Sequence, residues 1–472
     1  MGYTDELLEH LQNPMRRWGM AAILQSYTDE LLEHLQNPEA LERIYRQALQ
    51  RGEEKLFQET IESLFARYPQ NLLLAAWHYR LAEEVAVPRP KAGRLPRHWP
   101  WAVVFALLNG LAFWWLSNLS EPAWLARQYI PFLLLYWAPI AATCILLFLF
   151  LTGNRFPRRL PVLLGALALV SAYAYFADFL IQQEIFWKQY LVLGAIHLIP
   201  LAWASVALYV LKGQADEKSR IAFLAKSLET VVLGGLSGAV LGVFTGVTLA
   251  LFSTLNLHYT FTEQLLRVLM FGGAGCIPVL AVAAVYEPLR RLREQTFAAL
   301  FRITTLLLRI FLLPSILILL TYVGLIPFHF TEPFYNRGAL IAYNVMLFAV
   351  VALLLWTTPV EDGQLSPRMG RWLRRGRLAL AVLAEIISLY ALAAILFRTW
   401  WDGFTPNRIT VIGWNLINIA LLGVLLVREW RGGDEGWVAA AQRTFAQAMP
   451  VYAAWSLLLL IALPLLFARS SF

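Results

Sequence analysis

Long apolar runs constrain this chain more than any other feature, because they fill most of it from residue 100 onward. A helix needs about 20 residues to cross the roughly 30 Å hydrocarbon core of a bilayer. Each such run must be helical, since a backbone that faces lipid has to satisfy its own hydrogen bonds. The sequence therefore predicts an all-α, polytopic helical membrane protein of about eleven transmembrane helices, with its transmembrane domain over residues 100–470. The spans are placed near 100–118, 129–151, 160–180, 189–211, 229–253, 265–286, 303–325, 338–357, 378–397, 409–427 and 449–468.

Composition excludes an ordinary soluble fold. The chain is 59% hydrophobic and 15% charged, whereas soluble domains are about 45–50% apolar and about 25% charged. The first partner predicted for the chain is thus the lipid bilayer. The first 20 residues hold acidic residues and an Arg16-Arg17 pair in place of an apolar core, so no cleavable signal peptide is expected and the first span should direct insertion.

Basic residues between the spans give an independent test of this map. One alternating set of segments carries 23 Lys and Arg residues, and the opposite set carries six. Since basic loops stay in the cytoplasm, this asymmetry predicts a cytoplasmic N-terminus and an external C-terminus. An odd number of spans is required by that result.

The first 84 residues have the opposite charge balance, with eight basic and fourteen acidic residues. Apolar residues at helical spacing predict a small cytoplasmic helical-hairpin domain over residues 27–84, loosely similar to a tetratricopeptide hairpin, which we expect to bind a protein partner. Leu41, Ile44, Tyr45, Ala48, Leu49, Phe57, Ile61, Leu64, Phe65 and Tyr68 form its apolar pattern. A linker rich in proline and basic residues follows at 85–99.

The segment YTDELLEHLQNP occurs at 3–14 and again, unchanged, at 27–38. An old natural repeat would have diverged in sequence. We therefore interpret residues 1–26 as a duplicated start segment rather than a functional tandem helix.

Glycines mark the fifth and sixth spans. Residues four apart share a helix face, so the fifth-span glycines form a seam that another backbone can approach closely. This pattern has three interpretations: packing against a helix of the same chain, a homo-oligomer contact, or a pore-lining seam. The sixth span has three glycines before Pro278, which favours a flexible or broken helix there. The seam glycines are Gly234, Gly238, Gly242 and Gly246, and those of the sixth span are Gly272, Gly273 and Gly275.

Ionisable residues at membrane depth are costly and are therefore candidates for function. Glu385 in the ninth span and Arg309 in the seventh are predicted at similar depth, so an ion pair between them would act either as a structural lock or as part of a proton or ion relay. Asp178 and His197 are predicted in the outer half, where they would either form a second polar pair or line a wet vestibule. Asn109, Asn344, Asn415 and Asn418 are expected to supply hydrogen bonds between helices.

The outer loop after the ninth span reads FRTWWDGFTPNR, from Phe397 to Arg408. Here the chain resembles a family of bacterial multi-spanning membrane proteins, the domain of unknown function number 4153. These proteins show an Arg, a short aromatic stretch and then Gly-x-Thr-x-Asn-Arg between two late spans. The resemblance implies a bacterial cytoplasmic membrane protein over roughly residues 100–470 and no particular activity. The matching residues are Arg398, Gly403, Thr405, Asn407 and Arg408.

Motifs for nucleotide phosphates, zinc proteases and serine hydrolases are missing from the sequence. Cys144 and Cys276 lie in apolar runs without nearby ligand residues, so no metal and no cofactor is predicted. The basic loops are explained by topology and anionic lipid, and nucleic acid is not expected as a partner.

Three functions stay open at this point. The first is transport of a small solute or ion, and the second is a structural, assembly or signalling role in a membrane complex. The third is an enzyme acting on a lipid-linked substrate at the outer face. Of the three functions only this one is enzymatic, so the sequence favours a non-enzyme over an enzyme. The outer residues considered for it are His258, Glu263, His329, Glu332, Asp402 and Arg408.

Overall fold

The computed structural model describes residues 38–51, 54–86, 98–117, 130–153, 156–211, 216–253, 259–290, 292, 295, 299–335, 337–360 and 366–468. Within these ranges all regular structure is helical. The chain divides into two compact units between Pro96 and Arg97. The duplicated start segment 1–26 and most of the 85–99 linker lie outside the described residues.

Three short helices form the described part of the first unit: α1 (Pro38–Arg51), α2 (Glu54–Arg67) and α3 (Leu72–Ala86). α1 begins at Pro38 because a first helical position does not need the N–H that proline lacks. α3 is capped by Asn71, whose side-chain Oδ1 accepts hydrogen bonds from the backbone N–H groups of Leu73 (2.9 Å) and Leu74 (3.1 Å).

The core of this unit follows the predicted apolar pattern closely. Its buried side chains are Leu41, Ile44, Tyr45, Ala48, Phe57, Ile61, Leu64, Leu74, Trp77 and Leu81. The prediction is wrong for Tyr68, which is 42% exposed. α2 ends at Arg67, so Tyr68 lies in the turn that follows and no longer shares the helix face.

Ten helices of the described residues are long and apolar enough to cross a membrane. The first five are α4 (Trp99–Leu116), α5 (Phe132–Thr152), α6 (Arg159–Phe176), α7 (Glu184–Leu211) and α8 (Glu217–Ser253). The sixth is built from α9 (Tyr259–Leu266), a π-helical turn (Arg267–Gly272) and α10 (Gly273–Val285). The remainder are α11 (Ala299–Leu325), α13 (Arg337–Thr357), α14 (Pro367–Asp402) and α15 (Pro406–Leu466), with the short α12 (Glu332–Tyr335) before α13.

α15 contains both of the last two predicted spans. Its Gly433 has φ 61° and ψ −158°, a left-handed conformation that favours glycine and interrupts the helix. The two arms run antiparallel, because the Tyr452 hydroxyl donates to Asn418 Oδ1 while Arg428 donates to Gln447 Oε1 at 2.8 Å. Residue numbers thus rise along one arm as they fall along the other, and α15 is a helical hairpin.

The apolar core of the second unit has two halves joined by this hairpin. One cluster packs α11, α13 and α14 against α15, and another packs α4, α5, α7, α8 and α10 together. A third cluster joins α6 and α7 to the end of α15. α8 differs from its neighbours, because Thr245 is its only buried residue between Val231 and Leu251.

Contacts between helix ends fall into two sets. At one end Arg443 pairs with Glu217 (3.0 Å) and Gln442 Nε2 donates to the Pro359 carbonyl (2.8 Å). At the other, the Asn407 N–H donates to Gln189 Oε1 (3.3 Å). These sets match the alternation of ends in the sequence-based map, and we call the first the basic end because it holds the Lys- and Arg-rich segments.

Candidate functional site

Glu385 lies near the middle of α14 and is half-buried. Its Oε1 is 3.9 Å from the position that a Cβ on Gly423 would take, so the carboxylate lies against the first arm of α15. The other oxygen, Oε2, is enclosed and has no hydrogen-bond partner among the described residues. A buried carboxylate in a structural lock is normally paired, so this environment is unusual.

Arg309 is not the partner of Glu385. α11 and α14 run parallel with Gly376 against Leu312 and Ile316, which places Arg309 level with residues near 372. Glu385 is about 13 residues, or about 20 Å, further along the axis. The predicted similar depth is therefore wrong, and these two described side chains form no ion pair. Arg309 instead lies close enough to Arg377 for their charges to interact.

The ion pair that joins these helices is Arg377 with Glu429. Both side chains are almost fully buried, and Arg377 Nη2 donates to Glu429 Oε1 at 2.6 Å. Arg377 also donates to Thr357 Oγ1 (2.9 Å) and to the Leu354 carbonyl in the last turn of α13. The guanidinium thus links three helices at the basic end.

The sequence alone does not identify this pair. Arg377 belongs to one of the basic segments between spans, and Glu429 lies just beyond a predicted span. A weak signal was present in Glu429 itself. It is an acidic residue directly after a span, within a basic segment that otherwise carries Arg428 and Arg431.

Further polar contacts occur at other levels of the first arm of α15. Asn415 Nδ2 donates to Asn344 Oδ1 of α13 at 2.8 Å, and Asn418 accepts the Tyr452 hydroxyl hydrogen bond. Asn418 Nδ2 is enclosed without a partner, as is Glu429 Oε2. The predicted role of these asparagines in interhelical hydrogen bonding is confirmed, and so is that of Asn109, whose Nδ2 donates to the Gly275 carbonyl at 2.6 Å.

His197 is a buried link between α7 and α15. Its Nε2 accepts from Trp414 Nε1 at 3.1 Å, and its Nδ1 lies 2.7 Å from the Leu193 carbonyl. The second contact fixes the tautomer, with the proton on Nδ1. Asp178 belongs to a 3₁₀ turn (Ala177–Leu180), but its side chain lies outside what the structure describes, so its pairing with His197 stays a prediction.

A second buried ion pair lies on α8. Lys226 Nζ is 2.9 Å from Glu229 Oε2 and donates to the carbonyl of Val285, the last residue of α10, at 3.1 Å. Beside it is an almost wholly apolar cavity of about 260 Å³ between α5, α7, α8 and α10. Trp203 and Ser227, hydrogen-bonded at 3.0 Å, add the other polar contact of its wall.

The glycine seam is packed only in part. Gly234 and Gly238 face Ile277 of α10, so half of the seam contacts a helix of the same chain. Side chains added at Gly242 and Gly246 would meet no atom within 4 Å.

The tightest backbone contacts lie elsewhere, between α4 and the sixth span. A Cβ on Gly110 would be 2.6 Å from the Gly272 carbonyl oxygen, and a Cβ on Gly275 would be 2.7 Å from the Gly110 Cα of α4. The neighbouring turn, Arg267–Gly272, is π-helical and continues directly into α10, so the helix is irregular there without a break, and its flexibility stays a prediction. These glycines therefore serve a close helix contact as well as the irregular turn.

The outer-loop motif builds a helix start. Gly403 has φ 79°, and the Thr405 hydroxyl accepts the Arg408 N–H at 3.2 Å, capping α15. The Arg408 guanidinium binds Asp402 (2.6 Å) and the Gly403 carbonyl (2.6 Å). Arg398 is half-buried and makes no ion pair with the described residues. The motif thus closes the tight turn between α14 and α15.

The residues considered for an outer-face enzyme site do not form one described cluster. His329 pairs with Glu332 at 2.9 Å, whereas Asp402 is held by Arg408. His258 lies outside the described residues.

No protein-family model, curated protein or solved structure matches the chain. The resemblance to domain of unknown function 4153 stays a prediction from the outer-loop motif.

Proposed function

We propose that this chain is a multi-pass protein of a bacterial inner membrane that moves protons or a small cation along the α14–α15 contact. In this proposal Glu385 is the carboxylate that takes up and releases the ion. The observation that carries it is a row of three enclosed polar atoms without partners among the described residues, namely Asn418 Nδ2, Glu385 Oε2 and Glu429 Oε2.

The axial spacing of these three levels supports a path that turns around the first arm of α15, because Gly423 lies on a different helix face from Asn418 and Glu429. Asn418, Gly423 beside Glu385, and Glu429 are five and six residues apart, or roughly 8 and 9 Å along the first arm of α15. Such steps are too long for direct transfer and are suited to water molecules or a hydrated ion between the side chains. Buried polar groups that lack a protein partner are commonly satisfied in that way.

The topology belongs to the same proposal. Eleven crossings follow if the two arms of α15 each cross the bilayer, with the basic end in the cytoplasm and the C-terminus outside. The antiparallel arms and the two sets of helix-end contacts support it. A protein partner for residues 27–84 and self-association through the Gly234–Gly246 seam remain further predictions.

The test uses purified full-length protein in liposomes that contain a pH-sensitive dye, with proton, K⁺ and Na⁺ gradients applied in turn. We expect the wild type to conduct at least one of these ions above protein-free liposomes, and Glu385→Gln to lower that flux at least tenfold. The matched control is Glu332→Gln, which removes an exposed carboxylate on α12. Equal flux in Glu385→Gln and wild type, or no wild-type flux with any of the three ions, would overturn the proposal.

A second readout needs no transported substrate. Dicyclohexylcarbodiimide reacts with protonated carboxyl groups in apolar surroundings, so its attachment to Glu385 should increase as the pH falls. Peptide mass spectrometry locates the modified residue. Absence of labelling at Glu385 from about pH 5 to about pH 9 would count against an ion-exchanging carboxylate.

A further inference from the structure

An apolar groove of about 750 Å³ lies between α11, α14 and α15. It covers six residues of α14, from Leu378 to Leu383, which is about 9 Å of helix axis. Half of a roughly 30 Å hydrocarbon core is about 15 Å, so the groove fits within one leaflet. Its apolar wall includes Ile316, Leu320, Val382, Leu383 and Val427.

Three arginines, one from each helix, stand at the basic end of this groove. Arg431 lines it directly. Arg375 precedes the lining residue Val382 by seven positions and therefore shares its face of α14. Arg309 stands in the same relation to Ile316 on α11. The contact of Gly376 with Leu312 and the pairing of Arg377 with Glu429 place the three within about one helical turn of the same level.

These three arginines differ from the arginines beside them because no described acidic side chain pairs with them. Arg374 pairs with Asp434 at 2.8 Å and Arg377 with Glu429, whereas Arg309, Arg375 and Arg431 form no ion pair with any described residue. Arg375 and Arg431 are exposed, whereas Arg309 is half-buried, and a half-buried guanidinium in apolar surroundings is costly without an opposite charge. A ligand that brings a negative charge to this rim would offset that cost.

Trp430 stands beside Arg431 and is 75% exposed. An exposed tryptophan next to basic residues is typical of the headgroup level of a bilayer, where an amphipathic ring has one apolar and one wet side. Basic pockets between helices on the cytoplasmic side are suited to anionic lipid headgroups, because arginine pairs with phosphate through two parallel hydrogen bonds.

We propose that this groove binds an anionic phospholipid. The phosphate lies among Arg309, Arg375 and Arg431, and the acyl chains occupy the apolar wall between α11, α14 and α15. The lipid then supplies the counter-charge that the protein does not. This site is independent of the proton path, since it uses neither Glu385 nor Asn418.

Binding can be measured with tail-labelled fluorescent phosphatidylglycerol and phosphatidylcholine, by anisotropy with the full-length protein in detergent. We expect phosphatidylglycerol to bind at least tenfold more tightly than phosphatidylcholine. The triple variant Arg309→Gln, Arg375→Gln and Arg431→Gln should lose at least tenfold in affinity for phosphatidylglycerol. Its matched control removes three exposed charges from the basic end elsewhere, as Arg158→Gln, Arg159→Gln and Lys218→Gln, and should bind as the wild type does.

Three outcomes would overturn the site. Equal affinity for the two lipids would mean ordinary contact with bulk lipid. Unchanged binding in the triple variant, with its melting temperature close to that of the control, would place the anionic lipid elsewhere. Displacement of phosphatidylglycerol by millimolar inorganic phosphate alone would indicate a free-anion site without a role for the acyl chains.

Discussion

At the scale of single residues, the Arg377 guanidinium has the most demanding environment in the described part of the chain. It is fully buried, and its hydrogen bonds go to a carboxylate of α15 and to a hydroxyl and a carbonyl of α13. Removing one member of a buried pair leaves the other charge uncompensated, whereas removing both leaves only the loss of packing.

We therefore expect Glu429→Gln or Arg377→Met to lower the free energy of unfolding by about 3–5 kcal/mol each. The double variant should lose less free energy of unfolding than the two single variants lose together. Melting in detergent, compared across the four proteins, measures this coupling. Additive effects would show that the two charges do not stabilise each other.

At the same scale, buried cations lie at the ends of neighbouring helices. Arg377 donates to a carbonyl in the last turn of α13, and Lys226 to the last residue of α10. Arg267 does the same at the other end of the bundle, donating to the Trp114 carbonyl near the end of α4 at 3.1 Å. The last carbonyls of a helix lack partners within it and carry partial negative charge, so a cation stabilises them.

At the scale of elements, the close contact of α4 with α10 depends on the absence of side chains. A Cβ on Gly275 would lie 2.7 Å from the Gly110 Cα and 2.9 Å from the Asn109 carbonyl oxygen. Backbone atoms cannot yield to it as a flexible side chain could, so the helices would have to move apart and the Asn109 hydrogen bond would weaken.

Gly275→Ala should accordingly lower the free energy of unfolding by about 1–3 kcal/mol, the usual cost of overpacking. Gly242→Ala is the matched control, because a Cβ at Gly242 meets nothing within 4 Å. Thermal melting of the two variants in the same detergent compares them directly. A larger loss at Gly242 than at Gly275 would contradict the packing described for α8 and α10.

At the scale of the whole molecule, α15 decides the topology. If its two arms cross separately, Phe404 and Glu435 lie on opposite faces of the bilayer, joined by one crossing. Both side chains are exposed, so each can be replaced by cysteine and tested for labelling.

In intact cells we expect a membrane-impermeant maleimide to label Phe404→Cys and not Glu435→Cys. After the membrane is permeabilised, it should label both variants. The background protein should carry Ala at Cys144 and Cys276. The reverse pattern would invert the topology, and labelling of both sites in intact cells would show that the first arm of α15 does not cross.

The sequence determined the helices of this protein, because hydropathy, helical periodicity and charge alternation are properties of local segments. The predicted spans from 100–118 to 378–397 each coincide with one described helical segment, and the last two share α15 on either side of Gly433. Apolar spacing likewise identified most of the core of α1 and α2.

Only the tertiary structure decided which polar residues meet. Each helix taken alone predicts a similar depth for Arg309 and Glu385. Packing of Gly376 against Leu312 instead separates the two residues by about 20 Å along the helix axis. The same packing leaves Glu385 against Gly423 and puts Arg309 near the basic end of the groove between α11, α14 and α15. Register between helices depends on which side chains interlock, and that information is spread over distant parts of the chain.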